Sequence, residues 1–326
     1  SAACYPGYSN PQVPGDGGDA PVDIATTSVH VRRANMITLL NGRGGLPEIH
    51  IQNEAAHCEI SLMGAHLLSF IPAGRREVFF LSEKSEYSTT GKAIRGGIPV
   101  CWPWFGPADK EKVPAATTAH GFIRQCLWRL VSWKELSAEA TEVVLAVNDD
   151  EATRRIWPHA FELRLEVKVG KRLELALTTT NTGDAPFAFE EALHTYYAVG
   201  DCREISITGF DGCEFLDKAP ANPPAANPQK GDVTIAAETD RVYCHCPGEA
   251  VIKDPVMGRS IRISKENSDT GVVWNPWIDK SRRMPDFGDR EYLGMVCVEN
   301  CNVGYDGKVL APGESHSLRV SIGVEG

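Results

Sequence analysis

The chain has no long hydrophobic run. Its apolar stretches end after a handful of residues, which excludes a membrane-spanning helix. It has no excess of basic charge either: 43 acidic residues face 33 basic ones, which argues against a surface for nucleic acid or an anionic membrane. No charged stretch followed by an apolar one opens the sequence, so no secretory signal is expected. Asn-x-Ser/Thr sequons are missing, and ten cysteines in 326 residues are too sparse for a disulfide scaffold. A reducing compartment, by default the cytosol, is the expectation. There is also no Cys-x-x-Cys pair. Cys244-His245-Cys246 and the pair Cys297, Cys301 lack the partner spacing of a zinc site and read as buried, inert thiols. No metal or cofactor is expected.

Sustained helical periodicity is missing as well; only 83–88 and 151–157 look like short helical turns. What is present is alternation. Leu163, Leu165, Val167 and Val169 share one face of a strand, and Arg164, Glu166 and Lys168 the other. Leu173, Leu175 and Leu177 repeat the pattern after a Gly170-Lys171 turn, so 161–181 reads as a hairpin. Leu318, Val320, Ile322 and Val324 make a closing strand. Segments 49–52, 57–61, 66–71, 142–147, 205–208, 250–253 and 271–274 have the same character. Many strands with Gly and Pro between them predict an all-β sandwich with very little helix. Residues 1–25 read as a loosely attached tail and 26–326 as one β-sandwich domain. The segment 219–230, with four prolines in twelve residues, reads as an inserted surface loop.

Three proton-handling side chains lie next to strand-like sequence: His120, His194 and Glu299. Imidazole is the side chain best matched to proton transfer at neutral pH. His194 lies among Leu193, Tyr196 and Tyr197, where partial desolvation would tune it; the plainer alternative is a satisfied core histidine. Glu299 follows Val296-Cys297-Val298, and a carboxylate closing an apolar run is costly unless it is paired or working. The alternative is a carboxylate bonded to backbone amides at a turn. Asp240 gives a weaker signal and also suits a turn cap. Arg95, before Gly96-Gly97, and Arg124, four residues after His120, could form an oxyanion clamp or ordinary surface ion pairs. His30, His50, His57, His159 and His316 read as ordinary surface or strand positions. Trp102, Trp104, Phe105, Trp274 and Trp277 supply rings for a core or for a sugar face.

Taken in order, these stretches resemble the glucose-6-phosphate 1-epimerases, or hexose-6-phosphate mutarotases, of the aldose 1-epimerase superfamily. The stretches are Gly64-Ala-His, Ala-Ile-Arg-Gly-Gly-Ile-Pro-Val-Cys-Trp-Pro-Trp-Phe-Gly at 93–106, His-Gly-Phe-Ile-Arg, Leu-His-Thr-Tyr, Thr-Asp-Arg-Val-Tyr, Val-Trp-Asn-Pro-Trp and Met-Val-Cys-Val-Glu-Asn. The likeness runs from about residue 45 to the C-terminus; the tail and a long 219–230 loop fall outside the pattern. It implies a galactose-mutarotase-like β-sandwich that interconverts the anomers of a hexose 6-phosphate without a cofactor. It implies Glu299 as general base at the C1 hydroxyl and His194 as general acid at the ring oxygen, facing each other across the sugar. His120 and Asp240 would hold hydroxyls, and Arg95 and Arg124 would hold the phosphate. The implied partner is a small-molecule hexose phosphate, with no nucleic acid or membrane, and the implied state is a monomer. Two rivals stay open: a mutarotase of unphosphorylated aldoses and a non-catalytic sugar-phosphate-binding module. A lyase or hydrolase is more distant, because no second carboxylate at a strand end pairs with Glu299.

Overall fold

Alternation becomes architecture in the hairpin of strands Phe161–Val169 and Arg172–Asn181. Leu163, Leu165, Val167, Leu173 and Leu177 are fully buried, while Arg164, Glu166, Lys168 and Glu174 reach the surface. In the computed structural model, which describes residues 37–88, 92–219 and 226–326, this hairpin sits inside an eight-stranded antiparallel sheet. The sheet runs Ser206–Thr208, Ala250–Asp254, Arg259–Glu266, Ser315–Glu325, Arg172–Asn181, Phe161–Val169, Ala140–Asn148, Arg129–Ser137. The predicted closing strand is its fourth member, paired to both neighbours. The expected tail at 1–25 and part of the 219–230 loop lie outside the described residues.

A second eight-stranded sheet carries the candidate chemistry. Its path is Ala226–Pro228, Glu214–Asp217, Thr239–Tyr243, Thr270–Asn275, Met295–Asn302, Glu191–Leu193, Val100–Cys101, and Tyr196–Ala198 also pairs with Met295–Asn302. A four-stranded antiparallel sheet, Ile37–Asn41 to His66–Pro72, precedes both. One buried cluster reaches from Ile37 through Leu165 to Val298 and Ile322, so the three sheets share a core. Two short strands, Phe187–Phe189 and Lys308–Leu310, pair beside it.

The second sheet is covered on its other face as well. Ala192, Tyr196, Trp274, Phe287, Met295, Cys297 and Cys301 form a separate apolar cluster there. Because side chains alternate along a strand, Glu299 lies on that same face, between Cys297 and Cys301.

Three expectations need correction. Residues 83–88 form a turn without a helix, because side chains take the backbone bonds. Ser82 Oγ accepts the Lys84 N–H at 3.1 Å, and Glu291 accepts the Glu83 N–H at 2.8 Å. The short helix expected at 151–157 is present as Glu151–Ile156, opened by an Asp150–Thr153 capping box. A second helix, Trp277–Arg283, was not foreseen. Buried Asn275 builds its start by accepting the Trp277 N–H at 2.9 Å and donating to the Tyr292 and Met295 carbonyls. Finally, Cys246 forms a disulfide with Cys213 across 33 residues, so this pair is not the expected free thiols. Cys297 and Cys301 are buried thiols, with burial pushing both well above the usual thiol range.

Candidate active site

Glu299 enters from the strand Met295–Asn302, which is buried along its whole length. Its side chain is 1% exposed, and Oε1 lies 3.2 Å from His194 Nε2. His194 follows the neighbouring strand Glu191–Leu193, its backbone N–H donating to the Pro99 carbonyl at 3.0 Å. Its ring stacks on Tyr196 at 5.0 Å with an interplanar angle of 15°. His194 Nδ1 and Glu299 Oε2 are buried without a hydrogen-bond partner. A buried polar atom left unpaired destabilises by about 1–3 kcal/mol, so these two atoms suit a bound hydroxyl-bearing molecule.

Burial acts on both members of the pair in the same sense, towards the uncharged form. It pushes the Glu299 carboxyl well above its usual range, with Asp240 adding to the rise and Lys218 opposing it. It pushes His194 well below the usual imidazole value, helped by His120, Arg124 and Arg95. A neutral carboxylic acid beside a neutral imidazole holds one transferable proton. A carboxylate beside an imidazolium holds the same number.

His120 stands edge-on to His194, with ring centroids 5.8 Å apart. Its backbone is left-handed, with φ of 60°, and its N–H donates to the Gly106 carbonyl at 2.8 Å. Nδ1 accepts the Gly106 N–H at 3.1 Å, which leaves the ring proton on Nε2. Burial, then the charges of Arg124, Arg95 and Lys218, lower His120 to about 3, so at neutral pH it is an uncharged donor. Gly121 makes this turn feasible: a Cβ there would come 1.7 Å from the Trp102 carbonyl oxygen.

Arg95 is positioned but not free. Its Nε donates to Asp286 Oδ2 at 3.1 Å, a second guanidinium nitrogen lies 3.0 Å from the same oxygen, and Nη1 donates to the Tyr196 hydroxyl at 3.0 Å. Through Tyr196 it is coupled to the His194 ring. The adjacent glycines allow close backbone packing; a Cβ at Gly97 would meet the Leu67 carbonyl at 2.0 Å. Buried His66, pushed down to about 4 by desolvation, donates to the Gly96 carbonyl at 2.6 Å and pins the segment. Arg124 donates to the Ala119 carbonyl at 3.1 Å, while its Nε is buried without a partner. Asp240 lies on Thr239–Tyr243 opposite Trp274, which in turn lies opposite Cys297. Burial raises Asp240, against the charges of Lys280 and Lys218.

All six residues singled out in the sequence thus act on one region. Glu299 and His194 do so side by side; they do not face each other across a gap. Three further residues were missed. Lys218 donates its backbone N–H to the Asp240 carbonyl at 2.7 Å, and its charge acts on His120, Asp240 and Glu299. Lys280, on the unforeseen helix, sits 5.8 Å over the Trp274 ring and pairs with Glu238 at 3.1 Å. Asp286 holds Arg95. Only Tyr196, inside the Leu-His-Thr-Tyr stretch, carried a signal; Lys218 opens a proline-rich loop and Asp286 lies in an unpatterned one.

A β sandwich with a buried acid–imidazole pair on a sheet face fits a sugar epimerase, and the chain's known relatives carry that name. The aldose 1-epimerase family model matches residues 47–323. A protein of Escherichia coli (strain K12) named "Putative glucose-6-phosphate 1-epimerase" is 37% identical over 277 residues, covering 84% of this chain and 90% of its own. One of the same name from Cenchrus ciliaris is 34% identical, covering 87% and 86%. Among solved structures, a "putative mutarotase (YeaD)" from Salmonella typhimurium superposes with a TM-score of 0.81 at 32% identity, covering 91% of this chain and 96% of its own. The chain belongs to the aldose 1-epimerase family. It has the galactose-mutarotase-like β fold, and among its described residues no helix is long and apolar enough to cross a membrane.

Proposed function

We propose that this epimerase interconverts the α and β anomers of a hexose 6-phosphate, with glucose 6-phosphate as first choice, by acid–base ring opening and without a cofactor. The observation that carries the reading is the Glu299–His194 pair, 3.2 Å apart and buried, with one unpaired polar atom on each side chain. Two oxygens bonded to one anomeric carbon are closer together than that, so neighbouring groups can each reach one of them. Opposite sides of the ring are not required.

In the ion-pair state Glu299 takes the C1 hydroxyl proton while His194 delivers its own to the ring oxygen, and the C1–O5 bond breaks. The open aldehyde then faces a neutral acid and a neutral imidazole, the state that burial favours. After rotation about C1–C2, His194 removes the proton from the C5 hydroxyl as it closes on C1, and Glu299 returns one to the new C1 oxygen. The proton count is unchanged over the cycle. His120 donates from Nε2 to a sugar oxygen, and Asp240 accepts from a hydroxyl.

Arg124 and Lys218 are the cations for the phosphate, with Arg95 contributing whatever its Asp286 pairing leaves. The names of the relatives support this substrate. That Arg95 is already committed to Asp286 and Tyr196 favours a second reading, a mutarotase of unphosphorylated aldoses, in which Arg95 only positions Tyr196 and His194. Anomerisation rates of glucose, galactose and their 6-phosphates, followed by polarimetry, separate the two. On the first reading the phosphates react faster, and Arg95→Ala harms them more than the free sugars, which lose only the positioning of Tyr196 and His194. Equal rates on the free sugars and equal loss on both classes would establish the second.

A further inference from the structure

On the four-stranded sheet, whose strands carry none of the six candidate site residues, two histidines read as ordinary surface or strand positions form an organised cluster. Glu48, His50 and Gln52 share one face of the strand Pro47–Gln52, while Ile49 and Ile51 face the core. His57 and Glu59 share the same face of Ala56–Ser61. The register sets His50 against Glu59 and Gln52 against His57. Ligand-type atoms of His50, His57 and Glu59 all lie within 4.8 Å of one another.

The surroundings fix each group. Gln52 Nε2 donates to the Asn53 and Ala56 carbonyls at 3.0 and 3.4 Å, so its Oε1 faces His57 and accepts from Nδ1 at 3.2 Å. This leaves His57 Nε2 pointing at Glu59 Oε1, 2.9 Å away. His50 Nε2 donates to Glu48 Oε2 at 2.9 Å, and its Nδ1 lies 3.9 Å from the same Glu59 oxygen. Arg43 holds the other Glu59 oxygen at 2.7 Å and Glu48 at 3.0 Å. Each of the three groups is therefore oriented from behind by a hydrogen-bonding partner, the arrangement that presents ligands to a metal.

We propose that His50 Nδ1, His57 Nε2 and Glu59 Oε1 form a binding site for a borderline divalent transition metal such as zinc, with water as fourth ligand. Ligands about 2.0–2.1 Å from a tetrahedral ion lie roughly 3.4 Å apart. The separations of 2.9 and 3.9 Å straddle that value, and the third, between the two imidazole nitrogens, is within 4.8 Å. Side-chain movements of about an ångström or less would therefore close the site. The side chains of His50, His57 and Glu59 are 28, 27 and 15% exposed, which leaves an entry path. Two imidazoles and one carboxylate suit zinc, nickel or copper and not magnesium. The ion would staple two neighbouring strands.

Calorimetric zinc titration of the whole protein tests this, with His50→Gln, His57→Gln and Glu48→Gln as variants and magnesium as control. One zinc per chain is expected, with affinity falling at least tenfold in each histidine variant, about tenfold in Glu48→Gln, and no response to magnesium. Cobalt(II) added to the unaltered protein gives a readout that needs no variant: visible bands of a four-coordinate nitrogen–oxygen site, abolished by zinc. Absence of saturable zinc binding, zinc affinity unchanged in both histidine variants, or an octahedral cobalt spectrum that zinc leaves unaltered would overturn the proposal, leaving a cluster held by hydrogen bonds and the Arg43 ion pairs alone.

Discussion

The two large sheets pack against one core, yet their central strands obey opposite rules. Phe161–Val169 alternates between buried and part-exposed positions from end to end, as a sheet with one dry face must. Met295–Asn302 is buried at all eight positions, because a second apolar cluster covers the face turned from the core. Leu165 and Glu299 are equally inaccessible, at 0 and 1%. In the first place burial stabilises. In the second it strips water from a carboxyl and an imidazole and pushes both towards their neutral forms. The difference shows that one level of burial serves stability or chemistry according to the side chain placed there.

The sharpest way to test that division is to exchange its consequences. Glu299→Gln keeps size and burial but removes the exchangeable proton, and His194→Ala removes the partner. Each should lower kcat for anomerisation by about 10²–10⁴-fold, the range supplied by one acid or base. Thermal unfolding should show both variants folded. Near-normal activity in either folded variant would end the assignment. Leu165→Ala should do the reverse. Removing a fully buried leucine destabilises by about 2–5 kcal/mol, read by denaturant unfolding, while activity per folded molecule stays unchanged.

The contrast also explains what could be read from the sequence. A hairpin with one wet face declares itself by its period of two, and 161–181 folds as that period requires. The site strand has no such period, so Glu299 stood out only as a charge that broke an apolar run. His120 and His194 were visible through their neighbours and through motif order. Lys218, Lys280 and Asp286 were not, because charge on a loop or short helix is ordinary and only the fold brings it to the site. The helix Trp277–Arg283 was hidden for a similar reason. It depends on buried Asn275 and on a left-handed Trp277, with φ of 55°, which no local propensity favours. His50 and His57 looked ordinary because each sits two residues from a glutamate on its own exposed strand face, and only the pairing of the two strands brings both imidazoles to Glu59.

A pH profile tests the same comparison at lower amplitude. Two buried groups sharing one proton titrate as a unit. Burial holds His194 below 6.5, so a second proton arrives only in acid; it holds Glu299 well above 4.5, so the last proton leaves only at higher pH. The expected kcat/KM profile is a plateau through neutrality, falling on both sides. A single limb near 6.5, as for an exposed histidine, would mean that water reaches the pair and that the site strand is not dry.

The smallest effect on the buried pair itself belongs to Lys218, the exposed cation beside it. Its charge opposes the burial-driven rise of Glu299, and it does not figure among the causes that lower His194. Lys218→Met keeps the apolar stem and removes the charge, so Glu299 should hold its proton to higher pH. The alkaline limb should move up while the acid limb stays in place. The shift should shrink with added salt, since the ammonium group is open to solvent and screened over about 8 Å at physiological ionic strength. A shift of both limbs together would show that the two groups cannot be tuned separately from the rim. On phosphorylated substrates a rise in KM should accompany the alkaline shift, because the same charge is proposed to hold the phosphate. A rise in KM with no movement of the alkaline limb would show that Lys218 acts on the ligand alone, with little influence on the pair beneath it.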